Sequence, residues 1–349
     1  MGTKEKKQSE SLKYLCVEEF LGDLLHARAL GTALEIGLID IVAQGGHLSR
    51  DDIGRKLQMG ALAVDMLVGL LKANHVVEER DGLLKLTGRF AAALKFRDLL
   101  ELKIEIANYA AHDVLDYFSY LICRPGEFME RSRFCRLFAY DRCFSPSREN
   151  YEFTKRWVGI ATVLTKYEAQ ACMDHHDFSR YRRVLDIGGN SGEFVLRLCK
   201  EYPDLQATVF DLPLVCDVGA EHIRSEPEAG RIGFTKGNAL ADPLPRGFDL
   251  VTFKSMLHDW PEKQARELIA RANECLNPGG TLLIFERGPI EFKEKGPSFS
   301  LTPFLLFFHS FRLPGMYEEE LRNLGYQDIE VQKIQLEMPF YLVTATKVQ

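Results

Sequence analysis

The sequence predicts a two-part protein: a mainly helical winged-helix region followed by a doubly wound α/β sheet. The chain has 349 residues, more than the roughly 100–200 of one typical domain. From residue 17 to residue 93, the apolar pattern is that of three short-looped helices and a hairpin. After Ser179, strand patterns alternate with helix patterns, which is typical of a parallel sheet.

The first region is predicted to contain three helices and two strands. ALGTALEIGLIDIVAQGG has apolar residues at helical spacing and ends on glycines. LSRDDIGRKLQM begins with Ser49 as an N-cap, and ALAVDMLVGLLKANH is a third helix, apolar on one face. VVEERDGLLKLT reads as a hairpin that turns at Asp81 and Gly82. This order of elements predicts a winged helix.

A winged helix raises the question of DNA binding. Lys72 is the only lysine or arginine between Ala61 and His75, whereas a recognition helix normally carries several. The net charge of −6 also disfavours nucleic acid and anionic membranes as partners. We therefore expect no nucleic-acid partner, and we expect the apolar helix faces to pack against a second copy of the chain, as a homodimer.

The composition predicts a cytoplasmic protein. The beginning of the chain is polar and lysine-rich, which is unlike a secretory signal. No apolar run approaches the ~20 residues of a membrane span, so no membrane partner is expected. The eight cysteines are scattered without a CxxC pair, which predicts reduced thiols.

Residues 97 to 175 are predicted to be helical again and contain a group of arginines. The ordinary interpretation of such a group is a solvated surface with weak ion pairs. Its members are Arg124, Arg131, Arg133, Arg136, Arg142 and Arg148.

After Ser179 the apolar pattern alternates between the period of a strand and the period of a helix. Helices are predicted at EFVLRLCKEY and at QARELIARANECLNPGG, the second stopped by its Pro-Gly-Gly. The predicted strands are RRVLDIGG, QATVFDLP, the short strand in RIGFTKGNAL, FDLVTFKSML and TLLIFERG.

A glycine-rich loop and two acids predict a nucleotide-type site. VLDIGGNSGEF, residues 184–194, places Asp186 just past a strand and before Gly188, Gly189 and Gly192. Asp211 stands at the end of the second strand, where an acid can bind both ribose hydroxyls. A dehydrogenase loop would read GxGxxG, so that class is disfavoured. The alternative role of Asp211 is to cap the helix that follows.

This combination resembles the class I S-adenosylmethionine-dependent methyltransferases. FKSMLHDWPE, residues 253–262, is similar to the catalytic segment of the small-molecule O-methyltransferases, which also have an N-terminal winged-helix dimerisation domain. The resemblance implies a dimerisation domain at 1–100, a helical region lining the substrate site at 101–178 and a catalytic domain at 179–349. It implies that the cofactor is bound by Asp186, Gly188, Gly189, Asp211, Leu212, Asn238, Ala239, Lys254 and Ser255.

The same resemblance implies catalytic roles. His258 would be the general base that deprotonates a hydroxyl, and Glu286 would orient it. A second orienting glutamate of that family falls at Phe311 when the chain is aligned on Arg312, and His309 stands at a position that is usually small. The chain has thus lost a carboxylate and gained an imidazole.

These departures resemble the α-keto acid C-methyltransferases, a branch of the family. The resemblance implies a zinc or iron ion held by His258, Asp259 and His309, which would stabilise the enolate of an α-keto acid for methylation at its β-carbon. Asp259 and Arg142 complete the predicted catalytic set, with Arg142 holding the substrate carboxylate and Arg312 as runner-up. Phe304, Phe307, Phe308 and Phe311 could wall an apolar pocket, although core packing explains any one of them.

Three alternatives stay open on the sequence alone. The chain could be an O-methyltransferase of an aromatic or natural-product hydroxyl, with His258 as base. It could be a winged-helix regulator that uses the second domain as a ligand sensor. His309 could be a packed core histidine rather than a metal ligand.

Overall fold

A computed structural model describes residues 10–44, 48–292, 294 and 296–348. The chain divides into two compact units. The helical unit comprises Lys13–Arg136 and Phe292–Leu306, and the sheet unit comprises residues 137–291 and 307–348 with residues 10–12.

The helical unit begins with a 3-10 helix at Lys13–Phe20 and is otherwise mainly α-helical. Its helices are α1 Leu24–Glu35, α2 Leu38–Ala43, α3 Arg50–Leu57, α4 Ala61–Ala73, α5 Gly88–Ala93, α6 Arg97–Cys123, α7 Pro125–Arg131 and the short α12 Thr302–Leu305. Ser49 caps α3 as predicted, because its hydroxyl accepts the Asp52 N–H while Asp52 accepts the Ser49 N–H, a capping box. The glycines predicted to end the first helical segment, Gly45 and Gly46, lie outside the described residues.

The predicted hairpin is confirmed. Strands β1 (Val77–Arg80) and β2 (Leu83–Leu86) pair antiparallel across a two-residue turn. Asp81 and Gly82 both have positive φ, 52° and 75°, as a type I′ turn requires. In the described part of the chain, four α-helices precede this hairpin rather than the three predicted, because the segment ALGTALEIGLIDIVAQGG is broken at Gly37, which has φ +76°, into α1 and α2.

The sheet unit is built on seven strands in the order β5-β4-β3-β6-β7-β9-β8. The strands β3 to β7 are parallel, as predicted, and β8 and β9 run antiparallel at the edge beyond β7. Their bounds are β3 Arg183–Ile187, β4 Gln206–Asp211, β5 Ile232–Lys236, β6 Phe248–Lys254, β7 Leu276–Arg287, β8 Gln327–Gln335 and β9 Pro339–Thr346.

Helices connect these strands, and α8, which precedes β3, packs against two of them, α9 and α10. Short 3-10 turns lie at Tyr140–Phe144, Pro227–Arg231 and Leu257–Asp259. The helices are α8 Arg148–His175, α9 Glu193–Glu201, α10 Pro213–Ile223, α11 Glu262–Cys275 and α13 Gly315–Asn323. A buried cluster joins apolar residues of β6, β7 and α11, such as Val251, Ile284 and Leu268.

The strand order places a ligand crevice. After β3 the chain moves outward through β4 to β5, and then it returns to the other side of β3 with β6 and β7. In open α/β sheets, ligands bind outside the carboxyl ends of the strands at such a switch point. The carboxyl ends of β3, β4, β6 and β7, together with the loops that follow them, carry most of the residues that the sequence singled out.

Candidate active site

The loop after β3 contains two positions that accept only glycine without strain. Gly188 has φ +69°, and a Cβ there would lie 2.4 Å from Met256 Cγ. A Cβ on Gly189 would lie 2.6 Å from Asp186 Oδ2. Met256 and Asp186 can therefore pack this closely against the loop only because both positions lack a side chain.

Asp186 lies within β3 rather than just past it, and it is 1% exposed. Its Oδ1 accepts a hydrogen bond of 2.6 Å from the Thr252 hydroxyl, while its buried Oδ2 has no partner among the described residues. Burial raises the pKa of Asp186 to about 7, with a smaller contribution from the charge of Asp211 and against the Thr252 hydrogen bond. A buried carboxyl oxygen without a partner is costly, and a bound ligand that donates to it would relieve that cost.

Asp211 ends β4 and joins that strand to the glycine loop. Its Oδ2 accepts the Asn190 N–H at 2.8 Å, and its Oδ1 accepts the Leu212 N–H at 2.7 Å. Leu212 is the N-cap of α10 and Asp211 is not, so the capping alternative does not describe the structure. Burial raises the pKa of Asp211 to about 6, against the two backbone hydrogen bonds, which lower it.

Asn238 and Ala239 follow β5. The Asn238 Oδ1 accepts the Leu240 N–H at 3.0 Å and its N–H donates to Asp242 at 2.7 Å, so the side chain closes its own turn. A carbonyl oxygen has a second lone pair, so Asn238 can still accept from a ligand. Ala239 is partly buried and packs against the core cluster of β6 and β7.

Lys254 and Ser255 end β6 and belong to a buried ionic network. Lys254 donates to Glu168 and, at 2.8 Å, to Thr165. Arg287 donates to the other oxygen of Glu168 and, at 3.0 Å, to the Ser255 hydroxyl. Burial lowers the pKa of Lys254, against the opposing charge of Glu168. Two cations thus share one carboxylate at the carboxyl ends of β6 and β7.

His258 lies in a 3-10 turn after β6, and Glu286 approaches it from β7. The His258 Nδ1 is 2.7 Å from Glu286 Oε2. Burial by itself lowers the pKa of His258, but the carboxylates of Glu286 and Asp259 outweigh burial and raise it. Burial alone would raise the pKa of Glu286, but His258 and two backbone N–H groups lower it. An ionised Glu286 can only accept, so Nδ1 carries the proton and Nε2 is left as an acceptor.

Asp259 has a different set of neighbours. Its Oδ2 accepts a hydrogen bond of 2.7 Å from the Tyr140 hydroxyl, and its Oδ1 is 3.5 Å from His258 Nε2. Burial raises the pKa of Asp259 and also that of Tyr140. Tyr140 belongs to a group of aromatic rings. The centroids of the Tyr140 and Trp157 rings are 5.3 Å apart, and Phe138 contacts both Trp157 and Phe307.

The two arginines proposed for a substrate carboxylate are engaged elsewhere. The Arg142 guanidinium lies over the Phe153 ring, 4.1 Å from its centroid. Arg312 donates to the carbonyl oxygens of Leu257, at 2.9 Å, and of Trp260. The role of Arg142 in holding a substrate carboxylate stays a prediction.

The predicted metal ligands are not assembled. Among the described residues, no group of three or more His, Cys, Asp or Glu side chains is placed to hold a metal ion. His309 is exposed and its ring lies 3.5 Å from that of Phe308, while His258 and Asp259 are hydrogen-bonded to Glu286 and Tyr140. The prediction of a zinc or iron site from His258, Asp259 and His309 is therefore not supported.

Sequence analysis missed Glu168, Tyr140 and the use of Arg312. Glu168 could have been found, because Thr165, Glu168 and Cys172 share one face of α8 with buried apolar residues, and a carboxylate in that phase needs a partner. Tyr140 is far from Asp259 in sequence and lies in an irregular segment, so no periodicity signals their contact.

Comparisons with known proteins agree with the geometry. The sequence model of the O-methyltransferase domain family matches residues 129–302. The chain is 31% identical over 274 residues to the 3-hydroxy-5-methyl-1-naphthoate 3-O-methyltransferase of Streptomyces sahachiroi, covering 75% of this chain and 74% of that protein. It is 24% identical over 339 residues to the acetylserotonin O-methyltransferase of Gallus gallus, covering 93% and 96%.

A solved structure supports the fold. An O-methyltransferase from neocarzinostatin biosynthesis, in complex with S-adenosylmethionine and 2-hydroxy-5-methyl naphthoic acid, superposes with a TM-score of 0.62 at 19% identity. The match covers 94% of this chain and 98% of that chain. At this identity the likeness concerns the fold, a Rossmann-like sheet preceded by a helical region.

Proposed function

Because the chain belongs to the O-methyltransferase domain family, we propose that it methylates a hydroxyl group on an aromatic small molecule, with His258 as the general base. The chain is an S-adenosylmethionine-dependent methyltransferase. The observation that carries the proposal is the His258–Glu286 pair, 2.7 Å apart. It leaves Nε2 as a proton acceptor on a side chain that is 14% exposed.

The residues at the crevice fit the cofactor. The buried oxygen of Asp186 that has no partner among the described residues lies beside the glycine loop, where a nucleotide-type ligand could donate a hydrogen bond to it. Two backbone N–H groups donate hydrogen bonds to the Asp211 carboxylate. The carboxylate can accept further hydrogen bonds from the ribose hydroxyls. The further residues we propose around the cofactor are Leu212, Asn238, Ala239, Lys254 and Ser255.

Bound S-adenosylmethionine supplies an electrophilic methyl group on a positively charged sulfur. His258 Nε2 accepts the hydroxyl proton of the substrate, which makes the oxygen nucleophilic, and Glu286 stabilises the resulting imidazolium through Nδ1. Asp259, 3.5 Å from Nε2, adds a second negative charge beside it. The rings of Tyr140, Trp157, Phe138 and Phe307 favour an aromatic substrate over a small keto acid.

This proposal replaces metal-assisted C-methylation of an α-keto acid as the preferred function. That reaction needs a Lewis acid, and the ligand set predicted for it is not assembled among the described residues. The relatives above are named for methylation of hydroxyl groups, which supports the O-methylation alternative. The regulator alternative has no supporting observation.

The test uses methyl-labelled S-adenosylmethionine with a panel of naphthols, hydroxynaphthoates, simple phenols and α-keto acids. We expect label on oxygen in an aromatic product, located by NMR. His258→Gln should lower kcat by about 10²–10⁴-fold, with cofactor affinity by calorimetry unchanged.

The matched control is His309→Ala, because His309 is exposed and lies outside the proposed machinery. We expect this variant to retain wild-type turnover. Label on the β-carbon of a keto acid, together with an inactive His309→Ala variant, would overturn the proposal in favour of C-methylation.

A further inference from the structure

We call residues 256–260, the short segment that carries His258, the catalytic turn. Two side chains form hydrogen bonds with its backbone. Glu286 Oε1 accepts the N–H groups of Met256 and Leu257, each at 2.6 Å. Arg312, which also follows the turn in sequence, donates to the carbonyl oxygens of Leu257 and Trp260. The amide hydrogens of the turn are therefore held by a carboxylate and its carbonyl groups by a guanidinium.

The catalytic turn has little to hold it by itself. Its internal hydrogen bonds are the 3.2 Å bond from Asp259 N to Met256 O and the 3.3 Å bond from Trp260 N to Leu257 O. Such 3-10 bonds have poor geometry, and isolated 3-10 turns are short for that reason. The residue before the turn, Ser255, has φ +50°, which costs a non-glycine residue free energy. External hydrogen bonds must then determine where the imidazole lies.

Phe311, the residue before Arg312, contacts the imidazole itself. Its ring centroid lies 5.5 Å from that of His258, and the side chain is 7% exposed. Consecutive residues thus fix the backbone of the turn and one face of the histidine ring. This gives the apolar FLLFFHSFR stretch a role at the site that does not depend on metal binding by His309.

We propose that Arg312 is a positioning residue for His258. It holds the carbonyl groups of Leu257 and Trp260 and thereby keeps Nε2 in place for the substrate hydroxyl. A guanidinium suits this task because its planar fork presents parallel N–H groups to two acceptors at once, which an ammonium does not. Arg312 acts through His258 and does not touch the substrate, so it differs from the carboxylate-binding arginine that the sequence suggested.

This inference rests on the proposed function, so its test needs a measurement that is independent of turnover. That measurement is the pH titration of the His258 ring, followed by NMR with ¹⁵N-histidine labelling. The charged and titratable groups that face the ring are Glu286 from β7, Asp259 from the turn itself and Arg287 at the end of β7. Displacement of the turn changes the distance to Glu286, and the midpoint of the His258 titration should then move towards the ordinary histidine value.

The variants are Arg312→Gln and Arg312→Lys, with Arg266→Gln as the matched control. Arg266 makes ion pairs with Glu262, Glu319 and Glu320 and none with the turn. We expect Arg312→Gln to lower kcat by about 10²-fold, since a misplacement near 1 Å can cost that much, with KM and cofactor affinity close to wild type. Arg312→Lys, which can hold one carbonyl group, should fall between Arg312→Gln and wild type and also serves if Arg312→Gln does not fold.

Arg266→Gln should keep the wild-type kcat and the wild-type His258 titration. The proposal is overturned if the folded Arg312 variants titrate at His258 as the wild type does, or if their kcat equals that of Arg266→Gln. Failure of the proposed function looks different: the wild type would then methylate no hydroxyl, while the His258 titration would still move in the Arg312 variants.

Discussion

At the scale of the residue, the proposed function depends on Glu286, whose contact with Nδ1 would determine which nitrogen of His258 acts as the base. Its carboxylate meets Nδ1 at 2.7 Å and also accepts two N–H groups of the catalytic turn. One side chain therefore sets both the tautomer of the imidazole and the position of its backbone. Phe311 occupies the position where the family resemblance implies a second carboxylate, and it contacts the ring by packing instead. Glu286 and Asp259 are the negative charges that raise the pKa of His258.

The pH dependence of turnover should report this charge. Burial lowers the pKa of His258 and the two carboxylates raise it, with a net increase. The base form is the neutral imidazole, so activity should be low at acidic pH. It should rise with a slope of one in a logarithmic plot and level off above a midpoint higher than the usual value near 6.5. Steady-state kinetics between pH 5 and 9 provides the measurement.

The variant Glu286→Gln tests whether Glu286 orients His258. The amide can place its NH₂ group against Nδ1, which would force the proton onto Nε2 and leave no acceptor for the substrate. We expect turnover to fall by about 10²-fold or more, within the range for loss of a general base. An unchanged pH midpoint and rate in Glu286→Gln would contradict the assignment of Glu286 as the group that orients His258.

At the scale of the element, the sequence predicted what is periodic and missed what is not. The β3 to β7 strands, the α9 and α11 helices and the hairpin at Asp81-Gly82 follow from apolar periodicity and turn chemistry. The antiparallel strands β8 and β9 were not predicted, because QDIEVQKIQ alternates weakly on a half-exposed edge and its pairing depends on β7. The parallel-strand pattern did not indicate that the sheet would continue past β7.

The site was predicted to a similar extent. Asp186, Gly188, Gly189, Asp211, His258 and Glu286 follow strand ends or a glycine loop, and sequence adjacency to those features locates them. The contacts of Tyr140 with Asp259 and of Arg312 with the catalytic turn join segments far apart in sequence. Such contacts depend on tertiary packing, which no local pattern contains. The metal set was implied by the resemblance to the α-keto acid C-methyltransferases, and it is not supported because no group of three or more His, Cys, Asp or Glu side chains among the described residues is placed to hold a metal ion.

We expect the ion pairs of Glu168 to stabilise the packing of α8 against the sheet. This carboxylate is 2% exposed and is shared by Lys254 and Arg287, which are 7% and 6% exposed. Glu168→Gln would leave two buried cations facing a neutral amide, and breaking a buried ion pair in this way costs about 3–5 kcal/mol. We expect a lower free energy of unfolding in urea by that order.

Glu152→Gln is the matched control for Glu168→Gln. Glu152 lies on the same helix and is exposed, so its substitution should change stability by no more than about 0.5 kcal/mol. Equal urea midpoints for the two variants would mean that the network contributes nothing to the attachment of α8.

At the scale of the whole molecule, the described residues contain no helix long and apolar enough to cross a membrane. All eight cysteines have free thiols, most of them buried. What the described chain leaves exposed is apolar surface on the helical unit, chiefly Leu24, Leu25, Ile36, Leu62, Met66, Leu115, Phe118 and Ile122, which are between 37% and 85% exposed. Scattered apolar residues are ordinary, but a contiguous stripe indicates a partner.

Three of these residues lie in the C-terminal half of α6, which is kinked at Tyr117. Leu115 precedes the kink, while Phe118 and Ile122, four residues apart after it, share one face of the helix, and the three are 76%, 52% and 53% exposed. We predict that this face packs against a second copy of the chain in a homodimer. Obligate interfaces of this apolar kind bury upwards of about 2,000 Å².

Sedimentation velocity at micromolar concentration tests the prediction. The wild type should sediment as a dimer of the 39.7 kDa chain. The double variant Leu115→Glu, Phe118→Glu should sediment as a folded monomer, because an interface of this kind would bury two carboxylates without partners. Val348→Glu, which replaces an apolar side chain of the sheet unit that is 44% exposed, should leave the dimer intact. A monomeric wild type would refute the dimer, and a dimeric double variant would move the interface to another face of the helical unit.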